Sequence, residues 1–275
     1  MGADLILHLQ RLSHPVLDRL FILASLLVSE EAILIVIPLI YWLYDKRLGF
    51  VLGVLFCASS LANQWLKELF ALPRPSAAQV RVLFASSGGG YGFPSGHAQN
   101  STVFWGTVAL LTRSRRWWLA GAGVVALVCL SRLYLGLHFL ADVIGGVAVG
   151  AVLLLAFSWL SRRLTRKTSA AWCFLAAGTL AAPLCSSPVG LKIGGALVGM
   201  GLGSYLEEIA VGFVPRTSRW RQISKALLGL GLLTPLYLAT RPIAATPAGE
   251  FFAYLALSLA GFLGVPWLFR RLGWG

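Results

Sequence analysis

Three short stretches of this 275-residue chain carry side chains whose types and spacing can do chemistry. The first is Lys67-Glu68-Leu69-Phe70-Ala71-Leu72-Pro73-Arg74-Pro75. The second, Tyr91-Gly92-Phe93-Pro94-Ser95-Gly96-His97, follows the glycines Gly88, Gly89 and Gly90. The third is Ser131-Arg132, with His138 and Asp142 beyond it. Lys67, Arg74 and Arg132 supply positive charge, and a guanidinium presents a fork of donors that matches phosphate oxygens, so phosphate is the natural guest. Gly96 lets the backbone come close, at the point where the unpaired N–H groups of a following helix would face an anion. Pro73 and Pro75 restrict the backbone around Arg74 and lower the entropic cost of aiming it.

The reaction follows from the histidines. His138 and Asp142 are four residues apart and share one face of a helix, so the carboxylate can keep one ring nitrogen protonated and leave the other as a nucleophile. His97 arrives from a different helix and is placed to protonate a departing alcohol or phosphate, then to activate water. No carboxylate cluster with hard-metal spacing lies near them. The cations are expected to replace metal ions in stabilising the transition state, with no metal and no cofactor required.

These groups have to be held by apolar helices. Hydrophobic residues make up 57% of the chain and charged residues 12%, which excludes a water-soluble domain. The net charge is +13, but the cations sit in short clusters between apolar runs, which argues against a nucleic-acid partner and for a membrane bilayer. A hydrocarbon core of about 30 Å needs roughly 20 apolar residues. The pattern predicts nine helical spans, at 20–43, 49–66, 98–112, 117–136, 139–160, 170–187, 190–213, 223–240 and 251–268. Glu30 and Glu31 interrupt the first, so its membrane-crossing part is expected to begin after the pair. Residues 1–19 mix Leu5, Ile6 and Leu9 with Gln10, Arg11 and Asp18, read as an amphipathic helix lying on the membrane. Of the 23 Lys and Arg residues, 15 fall on one side of this topology and eight on the other. Cytoplasmic loops carry the excess, so the N-terminus and the three motifs are expected outside and the C-terminus in the cytoplasm.

The three motifs together resemble those of the type 2 phosphatidic acid phosphatase (lipid phosphate phosphatase) superfamily in its membrane-integral branch. The pattern is Lys, six residues, Arg-Pro; Pro-Ser-Gly-His; and Ser-Arg, five residues, His, three residues, Asp. The resemblance implies that Lys67, Arg74, Ser95, Gly96, His97 and Arg132 form a phosphate pocket. It also implies that His138 becomes a phosphohistidine, with His97 as general acid and Asp142 as the partner of His138. The fold implied is all-α: a polytopic transmembrane bundle with a six-helix phosphatase core at 20–187 and about three further spans at 188–275. A lipid phosphomonoester or diphosphate is the expected substrate, among them phosphatidic acid, phosphatidylglycerophosphate, polyprenyl diphosphate and sphingoid phosphates. A nine-span arrangement is also similar to glucose-6-phosphatases. The same residues would serve a phosphotransferase, and the cations alone would serve an organic phosphate transporter. The oligomeric state is left open.

The remaining charged and aromatic residues read as structural. His8 and His14 are expected at the interface, and Arg81 and Tyr91 in a solvated loop. Glu207 and Glu208 are expected to pair with Arg216 or its neighbours. Trp42, Trp65, Trp105, Trp117, Trp118 and Trp267 read as interface anchors. Cys57, Cys129, Cys173 and Cys185 read as small core residues.

Overall fold

The computed structural model describes residues 2–163 and 188–275, and every regular element among them is helical. Ten helices follow in order: α1 Ala3–Gln10, α2 Pro15–Leu26, α3 Glu30–Leu43, α4 Lys46–Phe70, α5 Gly96–Thr112, α6 Arg115–Tyr134, α7 Leu140–Arg163, α8 Pro188–Leu206, α9 Arg219–Thr240 and α10 Pro247–Arg271. Six of them, α4 and α6 to α10, are long and apolar enough to cross a membrane, while α3 and α5, with 14 and 17 residues, are shorter. The span expected at 170–187 and the core boundary at 187/188 fall on or beside residues 164–187, outside the described residues, as do Cys173 and Cys185.

The stretch expected as one span at 20–43 is two helices, with Leu27, Val28 and Ser29 between them. Ser29 Oγ accepts from Ala32 N at 3.3 Å, so the serine caps α3. The leader is likewise two helices. Pro15 starts α2, and His14 caps it by accepting from Val16 N at 3.2 Å. His8 bonds back to Asp4 O at 2.9 Å.

The chain forms two compact units, Met1–Ile33 with Ala58–Trp159, and Leu34–Cys57 with Leu160–Gly275. In the first, Ala98, Leu133 and Val143 join α5, α6 and α7 in one core, with Leu9 of α1 and Cys129 packed against it. Leader helix α1 is docked on protein through Gln10, whose amide donates to Arg81 O at 2.7 Å and Tyr134 O at 2.9 Å. Arg81, expected in a solvated loop, pairs with Asp18 at 2.8 Å, and Tyr134 donates to the same carboxylate oxygen at 2.6 Å. Two glycines of α7 set its distance from α5. A Cβ at Gly146 would overlap the Ser95 carbonyl, and one at Gly150 would lie 2.9 Å from Gln99 O.

The second unit uses the same device. Gly195, Gly199 and Gly203 form a stripe on α8, where a Cβ at Gly199 would lie 2.6 Å from Leu255 O and one at Gly203 3.1 Å from Phe262 Cβ. Glu207 is buried and pairs with Lys46 at 3.0 Å rather than with Arg216. It also accepts from Tyr41 at 3.1 Å and Phe213 N at 2.9 Å. Arg216 instead stacks on Tyr44 and donates to its carbonyl at 3.2 Å. Trp42, expected at an interface, is fully buried and donates to Gly261 O at 2.7 Å, a carbonyl in the wide turn Ala260–Gly264. Trp65, Trp117, Trp118 and Trp267 are exposed, as interface anchoring requires.

Gly146→Ala should lower stability by about 1–3 kcal/mol, since overpacking against the Ser95 carbonyl cannot be relieved by a side-chain rotation. Gly123→Ala, on the open face of α6 with nothing within 4 Å, should be neutral or stabilising by up to about 1 kcal/mol. Thermal unfolding in detergent compares the two.

Candidate functional site

All eight residues singled out in the sequence lie in the first unit, at or beside helix ends. Lys67 is near the C-terminal end of α4, and Arg74 follows it in an extended stretch. Ser95 caps α5, and Gly96 and His97 are its first two residues. Arg132 is in the last turn of α6, His138 in the short connection to α7, and Asp142 in the first turn of α7.

Buried hydrogen bonds hold these ends together. Ser95 N donates to Asp142 O at 2.8 Å, which ties the start of α5 to α7. Asn63 Nδ2 donates to Pro94 O at 3.2 Å and to Gln99 Oε1 at 2.8 Å. Gln99 Nε2 then donates to Ser59 O at 2.7 Å. This ladder between α4 and α5 fixes the Pro94-Ser95-Gly96-His97 turn beside Lys67. It also explains the glycine: a Cβ at Gly96 would lie 3.0 Å from Asn63 Oδ1. The sequence reading missed the ladder. Its signal was present in polar Ser59 and Asn63, four apart in an apolar span, facing polar Gln99.

The cations converge on one loop. Arg74 donates from Nε to Gly90 O at 2.9 Å, from Nη2 to Gly89 O at 2.9 Å and from Nη1 to Leu137 O at 2.8 Å. Arg132 is fully buried and donates to Ser87 Oγ at 2.9 Å, to Ser87 O at 2.8 Å and to Ser25 Oγ. Lys67 Nζ donates to Tyr91 O. Ser87 and Ser25, which sequence reasoning passed over, thus complete the cation shell. The buried Arg132 Nε and Ser95 Oγ have no hydrogen-bond partner, so each retains capacity for another group.

His138 is buried, with 1% of its surface exposed. Its Nδ1 lies 3.3 Å from Asp142 Oδ2, and its Nε2 lies 3.0 Å from Arg74 Nη1. A guanidinium has donors only, so Nε2 must be the acceptor and the ring proton sits on Nδ1, facing the carboxylate. Asp142 is held for this task by Phe139 N, which donates to the same oxygen at 2.9 Å. Burial, and then the positive charges of Arg74, Arg132 and Lys67, hold the His138 ring well below the usual histidine range. His97 also acts on it electrostatically, and its Nε2 reaches Ser87 Oγ at 3.4 Å. A neutral imidazole with a forward-facing lone pair, ringed by cations, can attack an anionic electrophile.

Comparison with known proteins gives the family and the fold. The family model described as PAP2 superfamily matches residues 48–166, which contain all three motifs. A second, described as PAP2 superfamily phosphatase, transmembrane extension, matches residues 191–275. The lipid A 4'-phosphatase of Porphyromonas gingivalis is 32% identical over 162 residues, covering 54% of this chain and 68% of that protein. The chain belongs to the PAP2 superfamily. Human sphingosine-1-phosphate phosphatase 2 is 31% identical over 171 residues, which are 60% of this chain and 40% of that longer protein. The crystal structure of a transmembrane PAP2 type phosphatidylglycerolphosphate phosphatase from Bacillus subtilis shares the fold, with a TM-score of 0.50 and 21% identity over 60% of this chain and 86% of that one.

Because the His138 pKa is depressed, its ring should stay neutral as the pH falls through the ordinary histidine range and charge only well below it. Nitrogen NMR of ring-labelled protein at pH 6 should show one histidine neutral with its proton on Nδ1, a signal lost in His138→Gln. A protonated His138 at pH 6 would contradict the geometry.

Proposed function

We propose that this PAP2 protein is a membrane phosphatase that hydrolyses a lipid phosphomonoester or diphosphate through a phosphohistidine at His138, without a metal ion. The observation that carries the reading is the lone pair of His138 Nε2, facing Arg74 Nη1 while the ring proton on Nδ1 is donated to Asp142. Lys67, Arg74 and Arg132, with Ser95 and Gly96 at the start of α5, take the phosphate oxygens. The dianion draws Arg74 off the imidazole, and the donor that masked the nucleophile becomes a ligand of the electrophile. Nε2 then attacks phosphorus in line, an N–P bond forms, and the bond to the leaving oxygen breaks as His97 delivers a proton to it. In the second step water attacks the phosphohistidine, His97 accepts a proton from the water, and inorganic phosphate leaves with His138 restored.

A lipid substrate is favoured by the surroundings of the cations. Leu69, Phe70 and Leu72, between Lys67 and Arg74, and Leu140 and Ile144, on either side of Asp142, are all exposed. A head group at the cations would keep its apolar tail against these side chains and the bilayer. The names of the relatives point to lipid A 4'-phosphate, sphingosine-1-phosphate and phosphatidylglycerophosphate; phosphatidic acid and polyprenyl diphosphate carry the same chemistry. The excess of Lys and Arg in the opposite loops supports an extracytoplasmic position for the site.

Purified protein should release phosphate from at least one lipid in this panel with chelator present, and vanadate should inhibit it. Brief incubation with labelled substrate should yield an acid-labile, base-stable phosphoprotein. His138→Ala should abolish both label and release. Asp142→Asn should retain the fold and lose about 10²–10⁴ in rate, the usual size of an orienting or acid–base contribution. Release that persists in His138→Ala would end the phosphohistidine reading.

A separate measurement addresses orientation. A cysteine at Gly89 should react with a membrane-impermeant maleimide from the extracytoplasmic side. Labelling only after permeabilisation would reverse the topology and leave the chemistry untouched.

A further inference from the structure

We infer that Ser87 is a positioning residue for His97, doing for the second histidine what Asp142 does for the first. The inference rests on the proposed role of His97 as general acid and base. Ser87 ends a single tight turn, Ala85–Ser87, that opens on Phe84 in the left-handed region at φ 57°. Its hydroxyl lies between two site residues from different helices: Arg132 Nη1 donates to Oγ at 2.9 Å, and His97 Nε2 lies 3.4 Å from the same atom. Arg132 Nη2 also holds the Ser87 carbonyl at 2.8 Å, so the serine is clamped at both backbone and side chain.

A hydroxyl oxygen has two lone pairs. One takes the Arg132 N–H, and the other is available to the Nε2–H of His97. With that proton pinned on Ser87, only Nδ1 is left to change its protonation during turnover. A bound dianion offsets the cations that, after burial, hold the His97 ring well below the usual histidine range, so Nδ1 takes up a proton there, gives it to the leaving oxygen in the first step and regains one from water in the second, while Nε2 keeps its own throughout. The site would then contain two imidazoles with opposite assignments: His138 keeps its proton on Nδ1 and works through Nε2, and His97 keeps its proton on Nε2 and works through Nδ1. The 3.4 Å separation is long for a hydrogen bond, as is common in sites without substrate, where such contacts tighten on binding. Because the same oxygen receives Arg132, a phosphate that draws on Arg132 also bears on His97 through Ser87.

The test separates this role from a structural one by the leaving group. An aliphatic lipid phosphate needs a proton on its departing alkoxide, whereas nitrophenyl phosphate departs as a stable phenolate and does not. For Ser87→Ala, kcat/KM should fall about 10–100-fold on the aliphatic substrate and within about threefold on nitrophenyl phosphate, in line with a partial loss of general acid catalysis. Ser87→Thr, which keeps the hydroxyl, should recover most of the loss. In a His97→Ala background, Ser87→Ala should cost the aliphatic substrate nothing further. Equal losses on both substrates for Ser87→Ala, with His97→Ala still discriminating between them, would overturn the role of Ser87 alone. Equal losses for His97→Ala would remove the general acid reading itself and this inference with it.

Discussion

The site depends on one contact, a guanidinium facing an imidazole. Two cations would repel at 3.0 Å, so Arg74 and His138 can share this geometry only if the ring is neutral and its lone pair points forward. Asp142 makes that tautomer the stable one, and burial among like charges keeps the second proton away. Under the proposed function, nucleophile and phosphate-binding group therefore hold each other in readiness. The arginine needs an acceptor, the imidazole supplies one, and a phosphate that offers the arginine better acceptors uncovers the nucleophile in the same movement.

The partners of the other cations extend the argument. Arg74, Arg132 and Lys67 donate to the carbonyls of Ser87, Gly89, Gly90, Tyr91 and Leu137 and to two serine hydroxyls, all neutral groups. Among the described residues the carboxylate that acts on Arg74 and Lys67 is Asp142, and it is committed to His138 and to Phe139 N. Dipoles satisfy the donors without cancelling the charge, so an arriving dianion meets a positive field and has no carboxylate to displace. Three ion pairs would have made a more conventional core and a poorer anion site.

Most of this arrangement was legible in the sequence because it depends on a few fixed spacings. The spacing of four predicted one helix face for His138 and Asp142; the structure keeps the two in reach, but His138 lies just before α7 and Asp142 in its first turn. The three motifs stand at ends of apolar helices that can be counted. What escaped was set by tertiary contact. Ser87 sits in a turn with no periodicity to mark it, and Ser25 acts on Arg132 across 107 positions of chain. The interruption expected at Glu30 and Glu31 falls just before them, at Leu27–Ser29, because the serine cap that starts α3 is a local hydrogen bond that hydropathy does not register. Trp42 was misplaced because tryptophan is common at membrane interfaces, yet here its N–H finds the carbonyl of Gly261 inside the protein. Glu207 was given the nearest basic residue in sequence, but burial selects Lys46, 161 positions away.

Glu207 also shows how a buried charge that supports a fold differs from one that serves a reaction. Its oxygens receive Lys46, Tyr41 and Phe213 N, and Lys225 of the same unit, equally buried, donates to the carbonyls of Val214 and Pro215 at 2.8 and 3.0 Å. The Glu207 oxygens are fully engaged, so a further donor would have to displace one already bound. Around Arg132 the shell is open: its Nε and the hydroxyl of Ser95 are buried without partners, a state that costs free energy for as long as it lasts. A fold tolerates that cost where something else supplies the missing bond during turnover. Among the described residues Arg132 is a buried cation left with such an unpartnered atom, and under the proposed function a phosphate oxygen would supply its missing bond.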